Sequence, residues 1–279
     1  MNFVLAHGIL GFRERFGVEY FAHITEFLRQ LPAKVLVPQV DPTEGISVRG
    51  EQLRAQILQG FDQGALDPAL KAHIIAHSMG GLDSRYILSP ANKNTTSAND
   101  VVPHIASLTT VSTPHRGSPI ADLIALKTGA EPAEKNVLNA AGLTEDRAEH
   151  MLNRLGISLQ GLQDLTTENT RRFNDAFLDN PKVRYFSVAG GGRAQFPHAA
   201  ALLLPFYLYI EFTTHEANDG LVTVSSAKWG AFDEQLWPTD HADEVGHNLD
   251  NLLAFDAAGV LGRYMRIVNT VSAISAGAP

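Results

Sequence analysis

Ala76-His77-Ser78-Met79-Gly80 is the stretch whose reading decides the fold. It follows a short apolar run, Ala72-His73-Ile74-Ile75, and precedes a helix-compatible segment, Gly81-Leu82-Asp83-Ser84-Arg85-Tyr86-Ile87-Leu88. A strand, a tight turn of small residues around a serine and then a helix make the pattern of a nucleophile elbow. The turn is so sharp that bulky side chains two positions either side of the serine would collide. Ala76 and Gly80 meet that demand, although alanine stands where glycine is usual. Such a turn lifts the Ser78 hydroxyl above the sheet, and the helix N-terminus behind it favours developing negative charge. The same residues also suit an ordinary turn, so the companions of Ser78 must decide.

The first companion lies near the start of the chain. Asn2-Phe3-Val4-Leu5-Ala6 reads as a buried strand and runs into His7-Gly8-Ile9-Leu10-Gly11. Acyl transfer needs two backbone N–H donors aimed at the oxygen that becomes an anion. One comes from the residue after the nucleophile, Met79. The other is assigned to Ile9, with Gly8 and Gly11 allowing close backbone approach. The plain alternative is a glycine-containing strand–helix loop. A dinucleotide-binding loop fits worse, because no G-x-G-x-x-G pattern stands there.

The second companions lie far downstream. Asn218-Asp219-Gly220-Leu221-Val222 puts an acid on a turn before an apolar segment, and Trp237-Pro238-Thr239-Asp240-His241-Ala242-Asp243-Glu244 puts a histidine in a polar loop. The order serine, acid, histidine is that of α/β-hydrolases rather than of chymotrypsin- or subtilisin-like enzymes. His241 then takes the Ser78 proton as general base, and Asp219 fixes the imidazole tautomer and stabilises the imidazolium. Rivals exist among the 11 histidines, His215 and His247 being the nearest. Asp240 and Asp243 compete as the acid, but sequence neighbours rarely reach the far nitrogen of the same ring.

With those residues in place the chain resembles the bacterial true lipases of the Pseudomonas, Burkholderia and Proteus group. The resemblance rests on His7-Gly8-Ile9, Arg49-Gly50-Glu51-Gln52-Leu53, Ala76-His77-Ser78-Met79-Gly80-Gly81 and Ser112-Thr113-Pro114-His115-Arg116-Gly117-Ser118. It continues through Leu162-Gln163-Asp164-Leu165-Thr166-Thr167, Asn218-Asp219-Gly220 and His241-Ala242-Asp243-Glu244. No single segment is decisive; their shared order along nearly the whole chain is. The resemblance implies an α/β-hydrolase fold and a lipid-ester substrate. It further implies Ser78, Asp219 and His241 as the triad, with Ile9 and Met79 forming the oxyanion hole. It also implies a calcium site, with Asp243 as one aspartate ligand and His247 and Asn251 where carbonyl donors would fall. Two departures stand out. The chain has no cysteine, so the disulfide common among secreted members is absent. No aspartate stands between Gly190 and Asn218 to supply the first calcium ligand, leaving Glu211 or Glu216 as substitutes. One aspartate is a thin basis for an ion that wants several hard oxygens at once, and the plain reading of Asp243 is a residue that caps the histidine loop.

Composition suits one α/β domain. With 279 residues, 44% of them hydrophobic, a large core is feasible. A net charge of −8 argues against a nucleic-acid partner. The lack of cysteine excludes thiol catalysis and cysteine-based metal sites and suits a reducing compartment. The chemistry itself needs no cofactor. The first strand starts almost at Met1 and leaves no room for a signal peptide, which points to a protein kept inside, exported by another route, or trimmed.

Strand-like runs at Phe3–Ala6, Lys34–Val37, His73–His77 and Ile105–Val111 alternate with helical periodicity over Val18–Leu31 and Arg49–Phe61. Alternation of this kind predicts a mostly parallel sheet flanked by helices, with ligands at the strands' carboxyl edge. Later segments predict a strand over Val183–Val188, a short last strand over Glu234–Trp237 and a terminal helix over Asn248–Val268. The polar run Ala91–Asp100 reads as a surface loop.

The excursion over about 118–182 is too long for a simple connection and contains helical segments such as Arg147–Leu155. In a lipase-like chain a lid would sit here; fixed core packing is the plain alternative. Ala199–Ile210 is too short to span a bilayer and is interrupted by Pro205. It reads as buried structure such as a strand pair or pocket wall, with a lipid-docking patch as the alternative. No transmembrane segment is expected. The expected activity is hydrolysis of lipid esters, with a lipid–water interface as a possible partner. A carboxylesterase for short soluble esters and a non-catalytic lipid-binding protein on the same scaffold are the competing readings.

Overall fold

Alternate residues of a strand leave it on opposite sides, and in β1 (Asn2–Ala6) both sides are buried. Phe3 and Leu5 enter one apolar core, Val4 and Ala6 another. A strand apolar on both faces belongs in the middle of a parallel sheet covered by helices. The computed structural model describes residues 1–9, 19–125, 159–191, 203–247 and 256–275, and within them the sheet takes this form. Its strands are β1, β2 (Lys34–Leu36), β3 (Ala72–His77), β4 (Ile105–Val111), β5 (Arg184–Val188) and β6 (Ala231–Phe232), in the spatial order β2-β1-β3-β4-β5-β6. Every pairing is parallel. The predicted α/β architecture is thus present, with β1 and β3 in register from Asn2↔Ala72 to Ala6↔Ala76.

On one face lie α2 (Ile46–Asp62) and α3 (Met79–Leu88), and after them α4 (Pro119–Ala125), α5 (Leu159–Asp164), α6 (Thr167–Ala176) and α7 (Leu204–Thr214). Leu53 and Ile57 of α2 and Leu82 of α3 pack there against Val4, Ile74 and Leu108. The other face carries α1 (Ile24–Arg29) and α9 (Ala257–Ser275), whose Ile24, Leu28, Tyr264 and Val271 meet Phe3, Leu5 and Ile75. A one-turn helix, α8 (Val224–Ala227), precedes β6. Among the described residues no helix is long and apolar enough to cross a membrane.

Several sequence expectations are corrected. The helix predicted over Val18–Leu31 is only the six residues of α1, because His23 at its start has left-handed backbone (φ 63°) that cannot continue a helix toward the N-terminus; Val18 lies outside the described residues. Of Ala199–Ile210, the described part is helical rather than a strand pair. Pro205 falls in the first turn of α7, where its missing N–H has no partner to lose. No strand runs over Glu234–Trp237: β6 is two residues long and lies upstream, and Trp237 makes one isolated parallel bridge to Gly190. The terminal helix starts at Ala257. Residues 248–255 and the segment Arg147–Leu155 lie outside the described residues.

Candidate active site

The turn between β3 and α3 is strained as its sequence predicts. Ser78 has φ 54° and ψ −132°, a region that non-glycine residues avoid. Neighbouring hydrogen bonds hold it there. Its N–H donates to the Val111 carbonyl at 3.0 Å, and its own carbonyl accepts the Thr113 hydroxyl at 2.7 Å. Gly80 lets α3 come down onto β1: a Cβ there would run into the Ala6 carbonyl and lie 2.8 Å from the His7 carbonyl.

The loop after β1 is pinned from two sides. Arg49, fully buried in α2, donates from Nη2 to the His7 carbonyl (2.7 Å), from Nη1 to the Asp41 carbonyl (2.6 Å) and from Nε to Asp83 Oδ2 (2.9 Å). Burial pushes the Asp83 carboxyl up to about 6, against the pull of Arg49. The His7 ring accepts the Val40 N–H on Nε2 (3.2 Å), so its proton sits on Nδ1 and is donated to the Gly8 carbonyl (2.8 Å). Burial and the Arg49 charge keep that ring neutral, with its pKa lowered to about 4. The Gly8 carbonyl and the Ile9 N–H share one peptide plane, so fixing the carbonyl fixes the direction of the Ile9 donor. Gly8 itself lies against the nucleophile, since an added Cβ would fall 2.6 Å from Ser78 Cβ. Ile9 is half-buried and Met79 fully buried at the head of α3.

Asp219 and His241 are brought together. His241 Nδ1 donates to Asp219 Oδ2 at 2.8 Å, and the His241 backbone N–H donates to the Asp219 carbonyl at 3.0 Å. The other carboxylate oxygen accepts the Leu221 and Val222 N–H groups at 2.9 and 2.7 Å, so the acid cannot swing away. The His241 ring packs on His77, the residue before Ser78, with centroids 4.4 Å apart. The rivals are engaged elsewhere. His215 forms the exposed left-handed end of α7, and His247 Nε2 donates to the Tyr20 carbonyl at 2.7 Å. Asp240 Oδ1 accepts the Ala242 and Asp243 N–H groups, both at 2.9 Å, and so caps its own loop.

Sequence reasoning gave no role to four buried polar residues behind this site. Glu244 is fully buried, with Oε2 3.1 Å from His77 Nε2 and 3.9 Å from His241 Nδ1. Ser112, in left-handed backbone after β4 (φ 45°), donates to Glu244 Oε1 at 2.7 Å. The Tyr20 hydroxyl lies 2.7 Å from His77 Nδ1. Burial, and next to it the Asp219 charge, push the Glu244 carboxyl well above the usual range, while burial pulls His77 well below its own. In sequence Glu244 looks like one more acid of a polar loop, and its spacing of three from His241 was the one signal available.

Among the described residues, one group of three ligand-type side chains lies within 4.8 Å of one another: His77, His241 and Glu244. Asp243 is not among them, and neither Glu211 nor Glu216 joins it in such a group. Asp243 opens a short 3-10 turn, and Asn251 lies outside the described residues. No chemical step is routed through calcium.

The arrangement places an imidazole locked on one nitrogen by a buried acid against His77, the residue before a strained serine at a helix N-terminus. Such a set can move a proton off a hydroxyl and hold an oxyanion. Residues 3–144 match the protein family described as Putative serine esterase (DUF676). Triacylglycerol lipase 2 of Saccharomyces cerevisiae is 31% identical over 82% of this chain, which spans 62% of that protein's length. A triacylglycerol lipase of Vibrio cholerae is 30% identical over 87% of this chain and 78% of its own. The crystal structure of Staphylococcus hyicus lipase superposes with a TM-score of 0.70 at 18% identity, covering 99% of this chain and 96% of that one, which shows the shared α/β-hydrolase fold. The chain belongs to this serine esterase family.

Proposed function

We propose that the chain is a lipid-ester hydrolase, a triacylglycerol lipase akin to those of the Pseudomonas, Burkholderia and Proteus group. The observation that carries the proposal is the 2.8 Å Asp219–His241 pair packed on His77, the residue before the strained Ser78. Ser78 Oγ attacks the ester carbonyl while His241 Nε2 takes its proton. Asp219 keeps Nδ1 protonated and stabilises the imidazolium. The tetrahedral oxyanion rests on the N–H groups of Ile9 and Met79. Collapse expels the alcohol, which takes the proton back from His241, and leaves an acyl-Ser78 ester. Water, giving its proton to His241, attacks that ester and releases the fatty acid. The relatives named triacylglycerol lipase support a glyceride substrate. The excursion over 118–182 is proposed as the cover of the acyl-binding cleft.

Hydrolysis of tributyrin and triolein emulsions, each with and without a chelator, tests the proposal. Activity on triolein that rises steeply above the solubility limit supports a lipase. Activity on dissolved tributyrin alone replaces it with a short-chain carboxylesterase, and loss of activity with chelator restores calcium at Asp243. Ser78→Ala should lower kcat by roughly four to six orders of magnitude with its melting temperature retained. Wild-type-like turnover in that variant removes Ser78 as the nucleophile, and failure of a serine-directed phosphonate to label Ser78 together with no ester hydrolysis leaves a lipid-binding protein.

A further inference from the structure

Behind the oxyanion loop runs a chain of buried polar groups that none of the acyl-transfer steps uses. It begins at Gly8, against which the Tyr20 hydroxyl packs: a Cβ on Gly8 would fall 2.7 Å from that oxygen. It continues from Tyr20 to His77 Nδ1 (2.7 Å), from His77 Nε2 to Glu244 Oε2 (3.1 Å) and from Glu244 Oε1 to the Ser112 hydroxyl (2.7 Å). It ends where the Gly190 N–H donates to Ser112 Oγ at 3.0 Å. Tyr20 is 6% exposed, His77 1% and Glu244 not at all, so water cannot stand in for a missing link. The chain joins the ends of β1, β3, β4 and β5 across the sheet.

We propose that Tyr20, His77 and Glu244 are positioning residues for the oxyanion loop: Glu244 orients His77, His77 orients the Tyr20 hydroxyl, and the Tyr20 hydroxyl backs Gly8. The proposal rests on the esterase reading of Ser78. His7 and Arg49 fix the carbonyls on either side of Gly8, and the Tyr20 hydroxyl packs against Gly8 between them. All three ties act on the two peptide groups that set where the Ile9 donor points.

The chain works in either of two proton arrangements. With Glu244 ionised, His77 donates from Nε2 to Oε2 and its bare Nδ1 accepts the Tyr20 proton. With Glu244 protonated, the carboxyl donates to Nε2 and Nδ1–H donates to the Tyr20 oxygen, which keeps its place against Gly8 in both arrangements. What matters is a polar partner for His77 Nε2 rather than the charge of Glu244. A glutamine can supply that partner, its carbonyl accepting from Ser112 and its amide donating to Nε2. A leucine cannot.

The test uses steady-state hydrolysis of a soluble ester, affinity for a boronic acid that mimics the tetrahedral intermediate, and the rate of Ser78 labelling by a fluorophosphonate. Tyr20→Phe and Glu244→Leu are expected to lower kcat by about 10- to 100-fold, less than outright loss of an oxyanion donor, with KM kept within about threefold. Boronate affinity should fall by the same factor as kcat. Glu244→Gln should recover most of what Glu244→Leu loses. The double variant Tyr20→Phe/Glu244→Leu should be little worse than either single one, because both cut the same chain. Tyr20→Phe removes one oxygen and tests the relay even if the Glu244 variants fold poorly. Wild-type kcat and boronate affinity in Tyr20→Phe, fully additive losses, or a glutamine variant as impaired as the leucine one each overturn the relay. If the wild type is labelled at Ser78 and the variants label at its rate, the relay alone falls. If the wild type neither labels nor hydrolyses esters, the esterase reading falls and the relay with it.

Discussion

Arg49 shows how much one side chain can decide at the residue scale. Its guanidinium donates in three directions from a fully buried position, to a carboxylate and to two carbonyls on separate segments. The planar fork of arginine suits this, whereas a lysine ammonium carries its donors on one atom and cannot reach all three acceptors. Arg49→Lys is therefore expected to leave at least one buried carbonyl without a donor, at a cost of about 2–4 kcal/mol. The His7 carbonyl is at stake, so kcat for a soluble ester should fall with stability. Urea unfolding and kinetics on the same preparation check both. A variant that loses stability while keeping wild-type kcat would show that Arg49 holds the fold but not the donor loop. The sequence quotes Arg49 within Arg49-Gly50-Glu51-Gln52-Leu53 and gives no hint of this, since its contacts with Asp83 and His7 are 34 and 42 residues away along the chain.

At the scale of elements, the strand–turn–helix unit of β3 and α3 is governed by what its glycines touch. Gly80 faces backbone carbonyls of β1 and its loop, which cannot move aside like a side chain. Gly262 in α9 has nothing within 4 Å of the position its Cβ would take. The same substitution should therefore act with opposite signs. Gly80→Ala is expected to destabilise by at least about 2 kcal/mol through overpacking, while Gly262→Ala should stabilise by about 0.5–1 kcal/mol through helix propensity. Urea midpoints of the two variants decide, and a harmless Gly80→Ala would mean that α3 does not sit down on β1 as described. This unit is also the most legible in the sequence, because an apolar run, a small-residue turn and a helical stretch each announce themselves locally. The Asp219 and His241 loops were legible through chain order and turn residues, and their 2.8 Å contact answers to that expectation. What escaped has physical reasons. A two-residue edge strand such as β6 carries no periodicity, so Glu234–Trp237 looked the better strand. Ala199–Ile210 is apolar throughout, which suits a buried strand as well as a helix. The partners of Glu244 are 132 and 167 residues away, and no local pattern marks an acid as buried.

For the whole molecule the buried ionisable groups set how stability changes with pH. Burial lowers His7 and His73 to about 4 from 6.5, and takes His77 and His115 well below that ordinary value. Between about pH 4 and 6.5 the unfolded chain binds protons at these positions and the folded chain does not. Stability must then fall as pH falls, by up to about 1.4 kcal/mol per pH unit for each such group. Asp83, raised to about 6, and Glu244, raised well above its ordinary value, act in the opposite sense. They keep protons in the folded state that the unfolded chain releases, so they add stability as pH falls through the same window. Burial also lowers His247 and raises Asp122, so five histidines stand against three carboxyls and leave a net uptake of about two protons on unfolding near pH 5.5. The overall charge of −8 relaxes toward zero near pH 5.7 and favours the folded state on acidification, but that charge is spread over a screened surface and is the smaller effect. The urea midpoint is accordingly expected to be clearly lower at pH 5 than at pH 7.5. His73 isolates one contribution, because it lies at the far end of β3 from Ser78 and bonds Ser107 Oγ at 2.8 Å. His73→Gln should keep a partner for Ser107 and reduce the slope of stability against pH by about one proton. A wild-type midpoint that is flat or rises on going from pH 7.5 to 5 would show that the buried carboxyls outweigh the histidines.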